Sequence, residues 1–286
     1  MTLFQLFIGF LLLISWVGRP WLYKPIAENF PARQSVTFTS FWLIAGLILT
    51  WPLLGDLLVV RGQNVLYSPY ILISVYKGIS IFYLITLQQV VNKRSMSSSV
   101  FFSFIALALG SLVNNLFFHE NLGIIKVLCI CGFGILGILF LRKGDAKRLS
   151  GNDFACFIIA TIIMASFTVS DHIAIPEVGW YAHLLVSSVF MCFMCFMYRD
   201  ARAAFRIAFK DKRTICAGVF YCVSEFLVIY ASVNILPVSI VAVFLRLSVP
   251  VVMVISAVKY KEQNIKNQLV FGISAILLAL PILLIK

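Results

Sequence analysis

Two ionisable residues lie inside stretches that are otherwise apolar, and they are the first candidates for chemistry. Arg246 is the only formal charge between Ile235 and Val258. Glu225 precedes the turn near Ile235 by about ten residues, and Arg246 follows that turn by about ten. At about 1.5 Å per helical residue, both lie at equal depth in an antiparallel hairpin. The spacing therefore predicts that Arg246 and Glu225 approach each other and border a central cavity.

Three further polar residues are candidates for binding a substrate. Lys77, in the segment YKGIS, lies about 12 Å into a third apolar span. Its side chain either faces a cavity or extends along its stem to the membrane surface. Tyr83 occupies the position that corresponds to Glu225 in an internal repeat, and Asn114 lies deep in the fourth span. Each of these two either binds polar groups of a substrate or forms a hydrogen bond between helices.

Two charged residues near the ends of apolar spans are weaker candidates. Asp171 closes the sixth span, where an ordinary interfacial role is expected. Arg19 lies toward the end of the first span, which favours a flanking charge, and Lys24 is interpreted in the same way.

The composition requires lipid as the solvent around most of the chain. Of 286 residues, 62% are hydrophobic and 12% are charged, and the mean hydropathy is +1.01. Soluble domains carry about 45–50% apolar and about 25% charged residues. Apolar windows long enough to cross about 30 Å of hydrocarbon recur along the whole sequence. The sequence therefore predicts an all-α integral membrane protein.

Ten transmembrane helices are predicted, in two groups of five that span residues 1–143 and 151–286. The first is expected to be a retained helix, because it lacks the basic region and the cleavage site of a signal peptide. The predicted spans are Leu3–Ala27, Val36–Leu54, Tyr70–Val91, Met96–Phe118, Ile124–Leu141, Phe154–Ile173, Val178–Tyr198, Thr214–Asn234, Pro237–Val258 and Asn267–Ile285.

The residues that give the chain its net charge of +12 are concentrated in loops on one side of the membrane. Most of the 23 Lys and Arg residues fall in five loops that alternate along the chain and so share one face. Such a bias marks the cytoplasmic face. It predicts both termini outside the cytoplasm, in what we expect to be the bacterial inner membrane. A lipid bilayer, and not nucleic acid, is the partner that this distribution indicates.

The two halves show a weak internal repeat. Aligning Ser97 with Ser239 also aligns Phe102 with Phe244, and each half carries a Glu near the end of its fourth span. Because five is odd, the second half enters the membrane from the opposite face. Inverted repeats are typical of secondary transporters, which hold the substrate near the midplane between the repeats.

One stretch resembles a known family. The segment NILPVSIVAVFLRLSVPVVMVISAVKYKEQ, with Pro237 and Pro250, is similar to the ninth-helix signature of the drug/metabolite transporter superfamily, EamA-like branch. Trp16, Gly18 and Lys24 resemble the first-helix pattern of that family. The resemblance implies a ten-helix carrier with a cavity lined mainly by helices 1, 3, 4, 6, 8 and 9. Members usually have cytoplasmic termini, which is opposite to the charge bias here.

The expected function is secondary transport of a small polar metabolite by alternating access. No Walker motif is present, so ATP is not the expected energy source. Lys77 and Arg246 outnumber Glu225, which favours an anionic or zwitterionic substrate such as an amino acid. Proton uptake by Glu225 would allow proton coupling without any cofactor. A monomer is expected.

Two alternatives come from other classes of protein. A flippase for a lipid-linked substrate would share the fold and would differ by a lateral opening between helices. An intramembrane enzyme is the weaker alternative, because the sequence contains neither HExxH nor GxSxG and no close pair of carboxylates. No catalytic residue and no metal ligand is therefore assigned.

Overall fold

The computed structural model of the chain describes residues 2–55, 59–60, 63–64, 68–118, 123–143, 150–236, 238–261 and 265–284. Side chains are described at most of these positions. Those of two predicted site residues, Asn114 and Arg246, lie outside the described residues, although both positions belong to helices.

Long helices make up nearly all of the described chain. They are α1 (Leu3–Asn29), α2 (Ala32–Leu54), α3 (Ile71–Arg94), α4 (Met96–Phe118), α5 (Ile124–Lys143), α6 (Gly151–Val178), α7 (Trp180–Met197), α10 (Lys212–Asn234), α11 (Val238–Lys259) and α12 (Ile265–Leu284). Two short helices, α8 (Arg199–Ala203) and α9 (Phe205–Ala208), follow α7. Two-residue strands β1 (Val59–Val60) and β2 (Gln63–Asn64) pair antiparallel between α2 and α3.

The prediction of an all-α membrane protein is confirmed. Each predicted span overlaps one long helix, and the differences are confined to the helix ends. In the described part of the chain, six helices are long and apolar enough to cross a membrane: α1, α2, α3, α6, α7 and α10. Helices α8 and α9 occupy much of the segment between α7 and α10.

Local sequence signals explain where several helices begin. The Thr2 hydroxyl accepts from the Gln5 backbone N–H at 3.2 Å, and the Gln5 side chain accepts from the Thr2 N–H at 2.9 Å. Ser150 and Asp153 form the same reciprocal capping box before α6. These contacts satisfy backbone donors that have no partner within the helix. Gly179 separates α6 from α7 with a φ of 78°, a conformation that glycine adopts without strain.

The interior of the bundle contains many hydroxyl groups, and its exterior is rich in large apolar side chains. Thr39, buried in α2, donates to the carbonyl of Ser35 at 2.9 Å, and Thr161 in α6 donates to the carbonyl of Phe157 at 2.9 Å. Leu49 and Leu53 of α2 are largely exposed. This distribution fits a bilayer, where exposed apolar groups cost nothing and polar groups need partners inside the protein.

The helices pack in a defined set of neighbours. Helix α3 lies against α6 and α7, and α10 lies against α1 and α2. Helix α4 contacts α5 and α6, whereas α11 contacts α12 and α1. Helix α2 also lies against α7, α5 against α12, and α4 against α11.

Two glycines lie where their helix passes close to the backbone of another helix. A Cβ added to Gly78 in α3 would overlap the backbone carbonyl oxygen of Ser187 in α7. A Cβ added to Gly218 in α10 would overlap the ring of Trp42 and come within 2.9 Å of the carbonyl oxygen of Phe38, both in α2. Backbone atoms cannot move aside as a flexible side chain can, so both positions require the smallest residue.

Candidate functional site

A cavity of about 580 Å³ lies at the centre of the bundle. Its wall is formed by side chains of α1, α3, α4, α6, α10 and α11, with Thr39 added from α2. Apart from α2, these are the first, third, fourth, sixth, eighth and ninth of the long helices. Most of the wall is apolar, and four charged side chains interrupt it: Arg19, Lys77, Asp171 and Glu225. Cavities of about 300–1,000 Å³ are typical of small-molecule sites.

Arg19 and Glu225 form an ion pair across α1 and α10. The Arg19 Nη1 donates to Glu225 Oε1 at 2.7 Å, and the side chains are 11% and 20% exposed. The guanidinium lies 4.1 Å from the ring centroid of Trp16 and 4.3 Å from that of Tyr221. Aromatic faces attract a cation at such distances. Arg19 is therefore held in a fixed plane at the cavity wall.

This pair corrects two interpretations of the sequence. Arg19 is not a flanking charge, because it is largely buried and points to a carboxylate inside the bundle. Glu225 pairs with Arg19, a partner that the spacing within the α10–α11 hairpin does not indicate. The approach of Arg246 to Glu225 stays a prediction, since the Arg246 side chain lies outside the described residues.

The Arg19 guanidinium has hydrogen-bonding capacity to spare. Its Nε and Nη2 atoms are buried and have no hydrogen-bond partner among the described residues. Gln89 also lines the cavity, and its side-chain oxygen Oε1 is buried and has no hydrogen-bond partner among the described residues. Buried polar groups are nearly always hydrogen-bonded in native proteins, so unpaired ones point to a missing ligand or water.

A second cluster of polar groups joins α3, α6 and α7. Lys77 Nζ donates to Asp171 Oδ1 at 2.5 Å, and His183 Nε2 lies 2.9 Å from the same oxygen. The other ring nitrogen of His183, Nδ1, lies 2.7 Å from the Ser74 hydroxyl. The resulting chain runs Ser74, His183, Asp171, Lys77 and ends at the cavity.

The network resolves two of the sequence-based alternatives. Lys77 faces the cavity and does not extend to the membrane surface, since its ammonium group contacts Asp171 on the wall. Asp171 is 36% exposed, lines the cavity and joins α6 to α3 and α7. His183 was not predicted as a site residue. Its side chain is fully buried, and no short sequence motif marks it.

Tyr83 lies away from this centre. It is 40% exposed, its hydroxyl is 3.3 Å from that of Tyr198, and it does not line the cavity. Tyr83 and Glu225 are aligned in the internal repeat, but Glu225 lines the cavity and Tyr83 does not. Besides Lys77, the polar side chains of α3 that line the wall are Gln88, Gln89 and Asn92.

Lys24 links α1 to α3 through hydrogen bonds to backbone carbonyl groups. Its side chain is buried, and Nζ donates to the carbonyl oxygens of Asn92 at 2.8 Å and Lys93 at 3.2 Å. These carbonyls belong to the last turn of α3, where a cation is favoured by the helix dipole. Lys24 therefore ties α1 to α3 and is not simply a flanking charge.

Within the described residues, no group of three or more His, Cys, Asp or Glu side chains is arranged to hold a metal ion. No protein-family model matches the chain, and no curated protein sequence matches it.

Proposed function

We propose that the chain is a secondary-active carrier with ten transmembrane helices, which moves a small anionic or zwitterionic metabolite through the central cavity by alternating access. The observation that carries the proposal is the cavity itself: about 580 Å³ inside a helical bundle, with four charged side chains on a mostly apolar wall. Charged residues inside a membrane are costly and usually face a binding site or a water-filled path.

The packing of the helices supports two inverted repeats, residues 1–143 and 151–286. In the proposed repeat, the first half corresponds in order to the second: α1, α2, α3, α4 and α5 to α6, α7, α10, α11 and α12. The α3–α6 contact then corresponds to the α10–α1 contact. In the same way, α3–α7 corresponds to α10–α2, and α4–α6 to α11–α1. The α2–α7 and α5–α12 contacts map onto themselves. Gly78 and Gly218 stand at related crossings, which also supports a repeat.

The charge that we propose for the substrate is based on the unpaired nitrogens of Arg19, and not on the number of charged side chains in the cavity. Lys77 is matched by Asp171, and one end of Arg19 is matched by Glu225. The excess of positive charge inferred from the sequence therefore disappears among the described side chains. The two unpaired donors of Arg19 favour a substrate with an acceptor, and Glu225 beside them offers a site for proton coupling.

A second candidate function is a flippase for a lipid-linked substrate, in the same bacterial inner membrane. The mostly apolar cavity wall favours it, because a polar head group and an apolar chain would both find matching surface. Transport of a soluble metabolite is the better supported of the two, since the charged groups lie within one central cavity.

The test is transport by purified protein in proteoliposomes. A thermal-shift screen of amino acids and other small metabolites would select ligands, and radiolabelled counterflow would then measure exchange against protein-free vesicles. Exchange of a soluble ligand supports the carrier. Movement of a fluorescent lipid-linked analogue, with no counterflow of any stabilising metabolite, supports the flippase and refutes the carrier.

The charge bias of the loops supports an orientation with both termini outside the cytoplasm. A fluorescent protein that matures only in the cytoplasm, fused to the C-terminus, should stay dark in that orientation. A bright fusion would refute the orientation and leave transport unaffected, because an inverted repeat is compatible with either orientation.

A further inference from the structure

The unpaired edge of Arg19 has the geometry of a site for a planar oxyanion. Nη1 contacts Glu225, and the two nitrogens without a described partner, Nε and Nη2, each direct an N–H to the same side of the guanidinium. This two-pronged edge matches the two oxygens of a carboxylate. The rings of Trp16 and Tyr221 cover the guanidinium, so a ligand approaches along the edge.

Gln89 supplies a complementary group at nearly the same depth. Lys24 of α1 contacts the carbonyl of Asn92 in α3, which brings the ends of these helices level. Arg19 lies five residues before Lys24, and Gln89 lies three residues before Asn92. At about 1.5 Å per residue their depths differ by only about 3 Å. Both side chains also line the same cavity, and this shared wall, together with the unpaired Oε1 of Gln89, makes Gln89 the acceptor that we assign to a ligand held by Arg19.

The local charge selects among oxyanions. Arg19 is already half neutralised by Glu225, and Asp171 lies on the same cavity wall. Asp171 is itself paired with Lys77, so the described charges on the wall balance, and a dianion such as phosphate would meet no excess of positive charge. A monoanion is favoured for this reason. The apolar wall beyond the charged groups leaves room for an apolar side chain.

We propose that Arg19 and Gln89 form the recognition subsite for a monocarboxylate that carries an adjacent hydrogen-bond donor, as an α-amino or α-hydroxy acid does. The carboxylate takes the Nε–Nη2 edge of Arg19, and the amino or hydroxyl group donates to Gln89 Oε1. On the proposed carrier function, this ligand is the transported substrate.

Binding to the purified protein tests the subsite without any membrane gradient. The probes are acetate, L-lactate, L-alanine, L-leucine, methylammonium and inorganic phosphate, titrated by calorimetry and by tryptophan fluorescence, to which the stacked Trp16 contributes. We expect saturable binding of lactate, alanine or leucine, weaker binding of acetate, and none of methylammonium or phosphate. Preference for phosphate, or no binding of any carboxylate, overturns the proposal.

Arg19→Lys is the decisive variant, because it keeps a cation for Glu225 and removes the two-pronged edge. It should weaken carboxylate binding by about tenfold or more, since each lost bond is one to a charged group. The matched control is Arg33→Lys. The Arg33 side chain also pairs with a carboxylate, that of Asp200 at 3.7 Å, and also lies over an aromatic ring, that of Tyr198. Arg33 is outside the cavity. Unchanged affinity in Arg19→Lys overturns the subsite.

Two more variants keep the proposal falsifiable if Arg19→Lys fails to fold. Gln89→Leu should lower lactate affinity to that of acetate and leave acetate affinity unchanged. Glu225→Gln should raise carboxylate affinity several-fold, because it removes the charge that competes for Arg19. Equal effects of Gln89→Leu on both ligands, or no gain in Glu225→Gln, contradict the assignment.

Transport measured in the same preparations separates this subsite from the carrier function. Specific binding that Arg19→Lys abolishes, with no counterflow in proteoliposomes, keeps the subsite and refutes the carrier. Counterflow in Arg19→Lys with the parental KM refutes the subsite and keeps the carrier.

Discussion

The two buried charge pairs of the cavity differ in how completely their polar groups are satisfied. Asp171 accepts from Lys77 and His183, and His183 in turn contacts Ser74, so the cluster forms a continuous network over three helices. Arg19 makes one hydrogen bond to Glu225 and keeps two buried donors without a described partner. A satisfied network fixes the relative position of helices, whereas an unsatisfied pair leaves capacity for a ligand.

The largest expected effect is the loss of stability on removing the shared acceptor. Asp171→Leu leaves the Lys77 ammonium buried and deprives His183 of its partner. Breaking a buried pair costs about 3–5 kcal/mol, and the partial exposure of Asp171 suggests the lower end. Unfolding in mixed detergent micelles would measure this free energy. A loss below about 1 kcal/mol would show that the network does not hold the helices.

Replacing both members of each pair by apolar residues should separate anchoring from binding. The Lys77→Leu/Asp171→Leu protein should recover most of the stability lost in Asp171→Leu and keep measurable transport. The Arg19→Leu/Glu225→Leu protein should fold equally well and lose carboxylate binding. Melting temperature and calorimetric titration of both double variants test this. The reverse pattern, in which only the Arg19–Glu225 replacement keeps ligand binding, would invert the roles assigned to the pairs.

A smaller effect is expected at the far end of the network. Ser74→Ala leaves Nδ1 of His183 without its contact and should lower the free energy of unfolding by about 1–2 kcal/mol. Ser188→Ala is the matched control, because the Ser188 hydroxyl, also buried, bonds only to the carbonyl of Leu184 in its own helix. Removal of such a bond changes stability little. Equal losses in both variants would mean that the Ser74–His183 contact adds nothing.

The smallest effect is expected for the exposed pair of Arg33 and Asp200. Arg33→Gln should change the free energy of unfolding by less than about 1 kcal/mol, because the side chains are 45% and 42% exposed and water screens the pair. High salt should reduce even this difference. A loss comparable with that in Asp171→Leu would contradict the expectation that a buried ion pair contributes more to stability than an exposed one.

The sequence alone determined the class of the molecule and the extent of its helices. Long apolar windows mark the spans because about 20 such residues are needed to cross hydrocarbon. Predicted and observed helices overlap throughout, since the signal is local and strong. Lys77 was singled out correctly as a buried charge for the same reason, because an ionisable group in an apolar run is conspicuous.

Tertiary structure decided which charges meet. The sequence places Glu225 deep in an apolar span, but depth leaves the rotation of each helix and the choice of neighbour open. Its partner Arg19 lies 206 positions away, in α1, and was hidden by its position toward the end of an apolar span. His183 was missed for a similar reason: its contacts with Asp171 and Ser74 depend on three helices packing together. A local pattern determines how deep a side chain lies, and only packing determines what it faces.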